Sequence, residues 1–172
     1  MSDDQNPAQA AMQNEDTQAA SLQVLTQYVR DMSFENPNAP MSLGANDTPP
    51  TISVNANVGV RQLDAQDYEV ALDFRVETKR NEEISFIAEL SYCGLFRVKN
   101  VPEESLRPVL LIEAPRQLFP FARRILSDMT RDGGFPPLLL DPIDFVALYQ
   151  NGLNEDQNNN NPSAELTSDQ DN

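Results

Sequence analysis

Between residues 21 and 92 apolar and polar side chains alternate with a period of two, and that period predicts four strands. "LQVLTQYVRDMSFE" sets Leu22, Val24, Tyr28, Met32 and Phe34 on one side and Gln23, Gln27, Asp31, Ser33 and Glu35 on the other, with Leu25 and Val29 outside the pattern. After a loop with four prolines, "TISVNANVGV" alternates Ile52, Val54, Ala56 and Val58 with Ser53, Asn55 and Asn57. "DYEVALDFRVET" alternates Tyr68, Val70, Leu72, Phe74 and Val76 with Glu69, Ala71, Asp73, Arg75 and Glu77. A turn at "KRNEE" leads into "ISFIAELSYCGLF", where Ile84, Phe86, Ala88, Leu90 and Tyr92 oppose Ser85, Ile87, Glu89 and Ser91. The connections are too short for crossover helices, so the strands form an antiparallel sheet with one largely polar face.

Beyond "CGLFRVKNVP" the period lengthens and the chain becomes helical in composition. Proline inside a helix removes a backbone hydrogen bond at a cost of about 3 kcal/mol, so Pro108, Pro115 and Pro120 predict a short helix ending near Glu113 and a second starting near Pro115. Arg123, Arg124 and Arg131 against Ile125, Leu126 and Met129 make that second piece amphipathic, and Gly133 with Gly134 stops it. In "DPIDFVALYQNGL" Asp141 is placed to cap a last helix with Pro142 in its first turn. "PVLLIEA", "LFPF" and "FPPLLLDP" carry more apolar surface than one sheet face absorbs. Either subunits bury it against each other, or it receives apolar segments of another chain.

The chain has 172 residues and 40% hydrophobic content, the size of one domain. Its net charge is -15, but nine of the 27 acids lie in two base-free ends. Residues 1–20 and 153–172 therefore read as acidic disordered tails, and the domain between them, residues 21–152, keeps 18 acids against 12 bases, a net of -6. Such a field favours basic partners and disfavours nucleic acid. The N-terminus lacks a basic start and an apolar stretch, and no run approaches the roughly 20 residues that span a bilayer, so a soluble cytoplasmic protein without membrane insertion is expected.

No catalytic equipment emerges. There is no His and one Cys, Cys93, which removes His-based dyads, His/Cys metal clusters and internal disulfides, and Cys93 reads as a small buried side chain. The pairs Glu82–Glu83 and Glu103–Glu104 sit at a turn and a helix start, where acids solvate the turn or favour the helix dipole. "NEDQNNNN" lacks the Gly and terminal Glu of a calcium loop, and Gly133–Gly134 follows a helix instead of preceding one. No cofactor, metal or enzymatic activity is expected. What remains is a binding module with a polar, partly acidic sheet face and an apolar helical side.

Several motifs, in this order and spacing, resemble the bacterial protein-export chaperone SecB family: "SFENPNAP" after the first strand, "DYEVAL", "GLF", "LFPFAR" and "GGFPPLLLDPIDF". The resemblance covers nearly all of residues 22–152. It departs at Cys93, where the family often has a second Gly. It implies an α+β fold, a four-stranded antiparallel sheet with helices packed on one face, assembled as a homotetramer that is a dimer of dimers. It implies a non-enzymatic holdase that keeps unfolded precursor proteins translocation-competent in the cytoplasm and delivers them to SecA. By the same resemblance the outer sheet face binds the zinc-carrying SecA tail, at positions matching Asp31, Glu35, Ile87 and Glu89. Client-groove positions fall among Leu95, Phe96, Val98 and Val101 of a crossover loop and Leu138, Leu139 and Leu140 before the last helix. A SecB-like chaperone dedicated to a toxin–antitoxin pair, or a scaffolding oligomer, are the alternatives.

Overall fold

A computed structural model of the chain describes residues 19–44 and 48–159. Four strands, β1 (Ser21–Glu35), β2 (Thr51–Gln62), β3 (Asp67–Arg80) and β4 (Glu83–Lys99), form one antiparallel sheet in the order β1-β4-β3-β2. β2, β3 and β4 follow one another as a meander. β1, first in the chain, lies on the far side of β4, so the connection from β1 to β2 crosses the end of the sheet, a Greek-key arrangement. The β3–β4 turn is two residues long, with Asn81 and Glu82 both at positive φ (52° and 65°), the backbone that matches strand twist in a tight hairpin.

The period-two reading holds for β2, for β3 and for β4 from Phe86 onward, and the inner faces of β3 and β4 supply Val70, Leu72, Phe74, Val76, Ala88, Leu90 and Phe96 to the core. At the start of β4 a bulge at Ser85 breaks it, so Ile84 does not share the face of Phe86 and Ser85 is buried. In β1 it fails in the middle. The pairing of β1 with β4 skips a residue between Val24 and Thr26 and again between Val29 and Asp31. Each bulge flips the faces, so Val29 opposes Tyr92 on the inner side while Tyr28 opposes Cys93 on the outer. Because there are two bulges, parity returns at Asp31, and Met32 and Phe34 point inward as expected. Met32 is nevertheless 53% exposed, so it does not anchor the strand within one subunit.

The helical half corrects two expectations. No break separates Glu113 from Pro115. Helix α1 (Glu103–Pro108) continues through a π-helical turn (Val109–Glu113) into α2 (Ala114–Asp132). The wider turn lets the Ala114 N–H donate to Val109 O, five residues back, and Pro115, which has no N–H to donate, follows directly after it. The last helix, α3 (Phe145–Asn159), starts three residues later than expected, because Asp144, not Asp141, is its cap: one Oδ1 accepts from the N–H groups of Val146 and Ala147 at 3.0 Å. α3 also runs past residue 152, so the domain boundary placed there falls inside a helix. The tail segments 1–18 and 160–172 lie outside the described residues.

α2 covers the centre of the sheet with Ala114, Leu118, Phe119, Ala122, Leu126 and Thr130, a stripe at helical spacing. Gly94 permits the close approach: an added Cβ would lie 2.8 Å from Leu118 Cδ2 and 2.6 Å from the Phe96 ring. The helix stop at Gly133–Gly134 follows the expected logic in full. Gly134 takes φ 88°, its N–H donates to Arg131 O and that of Phe135 to Thr130 O. Gly133 has a second duty, since a Cβ there would sit 2.3 Å from the Phe34 ring. The helices cover β3 and β4 and leave the inner margins of the sheet open, with Val29 and Met32 exposed on β1 and Ile52, Val54 and Val60 on β2.

Candidate functional site

The outer sheet face is built by register. On β1, Asp31, Ser33 and Glu35 lie opposite Ser91, Glu89 and Ile87 of β4, which in turn lie opposite Asp73, Arg75 and Glu77 of β3. The strand alternation therefore brings Asp31, Glu35, Ile87 and Glu89 onto one surface. No bulge intervenes between Asp31 and Glu35, which are about 13 Å apart at ordinary strand rise. Among the described residues neither has an ion-pair partner. Glu89 does: it pairs with Arg75, and Ser33 Oγ lies 3.5 Å from its Oε2. Towards β3 and β2 the face is charge-balanced, with Lys79 2.8 Å from Glu77 and Arg30 3.3 Å from Asp73. The uncompensated negative charge thus concentrates on the β1 margin.

The bulges that sequence periodicity cannot reveal hold this margin in place. The extra residue at the second bulge, Arg30, reaches over β4 to Asp73 and, at 3.7 Å, to Glu69 on β3. Tyr28, turned outward by the first bulge, donates its phenol O–H to Glu69. Glu69 is only 5% exposed and also meets Arg61 at 3.0 Å, so a buried carboxylate on the polar face is satisfied from both sides. The Tyr28 bond and the two guanidinium groups hold the Glu69 carboxyl below its usual value despite burial, and the same bond pushes Tyr28 up to about 12. The folded chain keeps a phenol proton that the unfolded chain releases near pH 10. Stability from this bond is complete below pH 10 and lost as pH rises towards 12. Tyr28→Phe is expected to flatten the alkaline limb of a denaturation-versus-pH profile between those values; an unchanged limb would exclude the bond.

Cys93 lies beneath this network, fully buried, and burial pushes its thiol up, as suits a packing residue. Among the described residues no group of His, Cys, Asp or Glu could hold a metal, and no helix is long and apolar enough to cross a membrane.

The chain thus presents an acidic face on one side of a Greek-key sheet and partly uncovered apolar margins on the other, and its relatives bear on what that arrangement is. The family described as Preprotein translocase subunit SecB matches residues 15–156. A Protein-export protein SecB from Parvibaculum lavamentivorans is 61% identical over 132 residues, covering 77% of this chain and 79% of its own. The chain belongs to the SecB family. Another Protein-export protein SecB, from Rhodopseudomonas palustris, is 49% identical over 142 residues, covering 83% of this chain and 90% of its own. The fold is shared with a solved SecB-like chaperone of Mycobacterium tuberculosis in complex with a ChAD peptide from the HigA1 antitoxin: TM-score 0.59, 18% identity, covering 71% of this chain and 90% of that one.

Within this SecB chain the expected client-groove residues part company. Leu95, Phe96 and Val98 are not in a loop: they lie in β4, and the connection that crosses the sheet is the one from β1 to β2. Phe96 and Val98 point into the core, Phe96 with no exposed surface, whereas Leu95 alternates to the outer face opposite Thr26 and Glu69. Leu140 is buried as well, and Val101 and Leu138 pack partly against the core. Only Leu139, 71% exposed, is freely presented. Its neighbour Leu138 is pinned by its N–H to the buried Thr130 hydroxyl at 2.8 Å, which itself donates back to α2 carbonyls. Sequence reasoning missed Met41 and Leu43, exposed on the crossing connection, although the uncharged apolar pair in "PMSL" was a signal. It also missed a cleft of about 570 Å³ between β2 and α3, lined by Ala56, Val58, Leu111, Leu148 and Leu153 together with polar groups. That cleft brings together residues nearly 100 positions apart.

Proposed function

We propose that this SecB chain is a cytoplasmic, non-enzymatic holdase that binds unfolded precursor proteins and passes them to SecA, whose zinc-carrying tail docks on the outer face at Asp31, Glu35, Ile87 and Glu89. The observation that carries the docking reading is the pair of carboxylates, Asp31 and Glu35, held in register beside Glu89 with no cation of their own among the described residues. A basic tail gains two charge contacts there without breaking any. Ile87 adds an apolar contact between them. Clients are taken as apolar segments along Leu139, Met41 and Leu43 and the cleft between β2 and α3, with Val101 and Leu138 as flanking contacts; Leu95, on the outer face, is not part of this surface. Holding many sequences requires flexible apolar contacts of this kind and no single tight pocket. The uncovered sheet margins support a homotetramer, a dimer of dimers, in which helices are enclosed between sheets.

Two measurements test this separately. Wild-type protein is expected to suppress aggregation of an unfolded secretory precursor at about one client per assembled particle, and to bind the zinc-loaded SecA tail with an affinity that falls as salt rises. Unsuppressed aggregation would remove the holdase reading, and salt-independent or absent tail binding would remove the docking face.

A further inference from the structure

We propose that Arg75 is an internal competitor for the docking face, holding Glu89 in the unoccupied chaperone until a basic partner displaces it. This rests on the docking reading above and concerns how that surface selects its ligand. Arg75 on β3 is the direct cross-strand neighbour of Glu89 on β4, both on the outer face, and its guanidinium contacts the Glu89 carboxylate. Both side chains are about half exposed, so the pair is solvent-screened and exchangeable, unlike the buried pairs of Glu69.

The three acids of the face are therefore unequal. Asp31 and Glu35 meet a partner without competition, whereas Glu89 is available only by evicting Arg75. Once evicted, the guanidinium is not stranded. Glu77, two residues along the same strand and on the same face, lies 3.9 Å from Arg75. Glu77 is already held by Lys79 at 2.8 Å, which leaves Arg75 on Glu89 until something displaces it. Arg75 also repels any cation approaching the patch. A segment with one basic residue gains little against this opposition, while one carrying several can use Asp31 and Glu35 to drive the exchange at Glu89. The competitor thus selects by number of charges, a repulsive element set beside the attractive ones.

The test titrates full-length wild type, Arg75→Gln, Arg75→Lys and Glu89→Gln, alone and with Arg75→Gln, against a fluorescent zinc-loaded SecA tail peptide at low and physiological salt. Arg75→Gln is expected to bind about three- to ten-fold tighter at low salt, as removal of one nearby like charge implies, and with a steeper salt dependence. Arg75→Lys should stay within about two-fold of wild type, since it keeps the charge. Glu89→Gln should cost more affinity in the Arg75→Gln background than in wild type. Should Arg75→Gln unfold at a lower temperature than wild type, Arg75→Thr replaces it, because Thr suits a strand. Equal or weaker binding by the neutral variant, with Glu89→Gln still weakening wild type, would overturn the competitor and leave the docking face standing. Absence of tail binding by every protein would overturn both.

Discussion

Phe96→Ala is expected to lower folding stability by about 3–5 kcal/mol, measured by chemical denaturation. Phe96 has no exposed surface, its ring fills the space over Gly94, and it opposes Tyr68 on β3 and Val24 on β1. Truncation removes the ring's burial and leaves a cavity that the neighbouring strands, fixed by their ladders, cannot close. If Phe96 lined a client groove instead, the variant would keep wild-type stability and lose client holding. That result would overturn the core assignment. Leu139→Ala is the natural control, since a largely exposed side chain has little burial to lose.

The second large effect concerns the outer face. Reversing two of its acids, Asp31→Lys with Glu89→Lys, is expected to weaken binding of the zinc-loaded SecA tail about 100-fold or more at low salt, while thermal unfolding and suppression of client aggregation remain as in wild type. Each reversal replaces an attraction with a repulsion, and Glu89→Lys also frees Arg75 to add its own charge to the patch. The loss should shrink as ionic strength rises, because both charges are exposed. Tail binding that survives the double reversal would place the docking site elsewhere, and a parallel loss of client holding would mean the two faces are not separable. The apolar helical side and the sheet margins lie on the opposite side of the sheet from Asp31 and Glu89, which is why independence is expected.

These features differ in how legible they are in the sequence alone. Asp31, Glu35, Ile87 and Glu89 were legible, since each lies in a stretch where alternation is unbroken and the polar side is unambiguous. Tyr28 was not. Its placement depends on the first bulge of β1, an extra residue in one strand relative to its partner, and a bulge is a property of a strand pair. Arg75 was visible as an outward residue, but its contact with Glu89 required the β3–β4 register. Phe96 was misassigned because motif order carries no strand boundary: "GLF" lies inside β4, seventeen residues long, where a short strand and a loop had been expected.

The helical half repeats the lesson. Gly133, Gly134 and the apolar face of the end of α2, with Leu126 buried and Ile125 and Met129 packed against the core, could be read from composition and spacing, because local backbone conformation and helical periodicity are encoded within a few residues. The continuous passage from α1 to α2 could not, since a π-helical turn trades poorer local geometry for packing of the flanking turns on the sheet. Likewise Asp141 and Asp144 offer equal local signals for a cap, and the choice between them follows from where Ile143 and Phe145 must enter the core.

The family was legible in the order and spacing of its motifs, while the four strands, their polar and apolar faces away from the bulges and the acids of the outer surface follow from short-range period, turn chemistry and charge. Strand order, the bulges of β1 and β4, the burial of Phe96 and Leu140, the clamp on Glu69 and the contact between Arg75 and Glu89 were settled in the folded chain alone. Each of these is a relation between residues distant in the chain, created when strands pair and a helix docks, and no local pattern specifies such a relation.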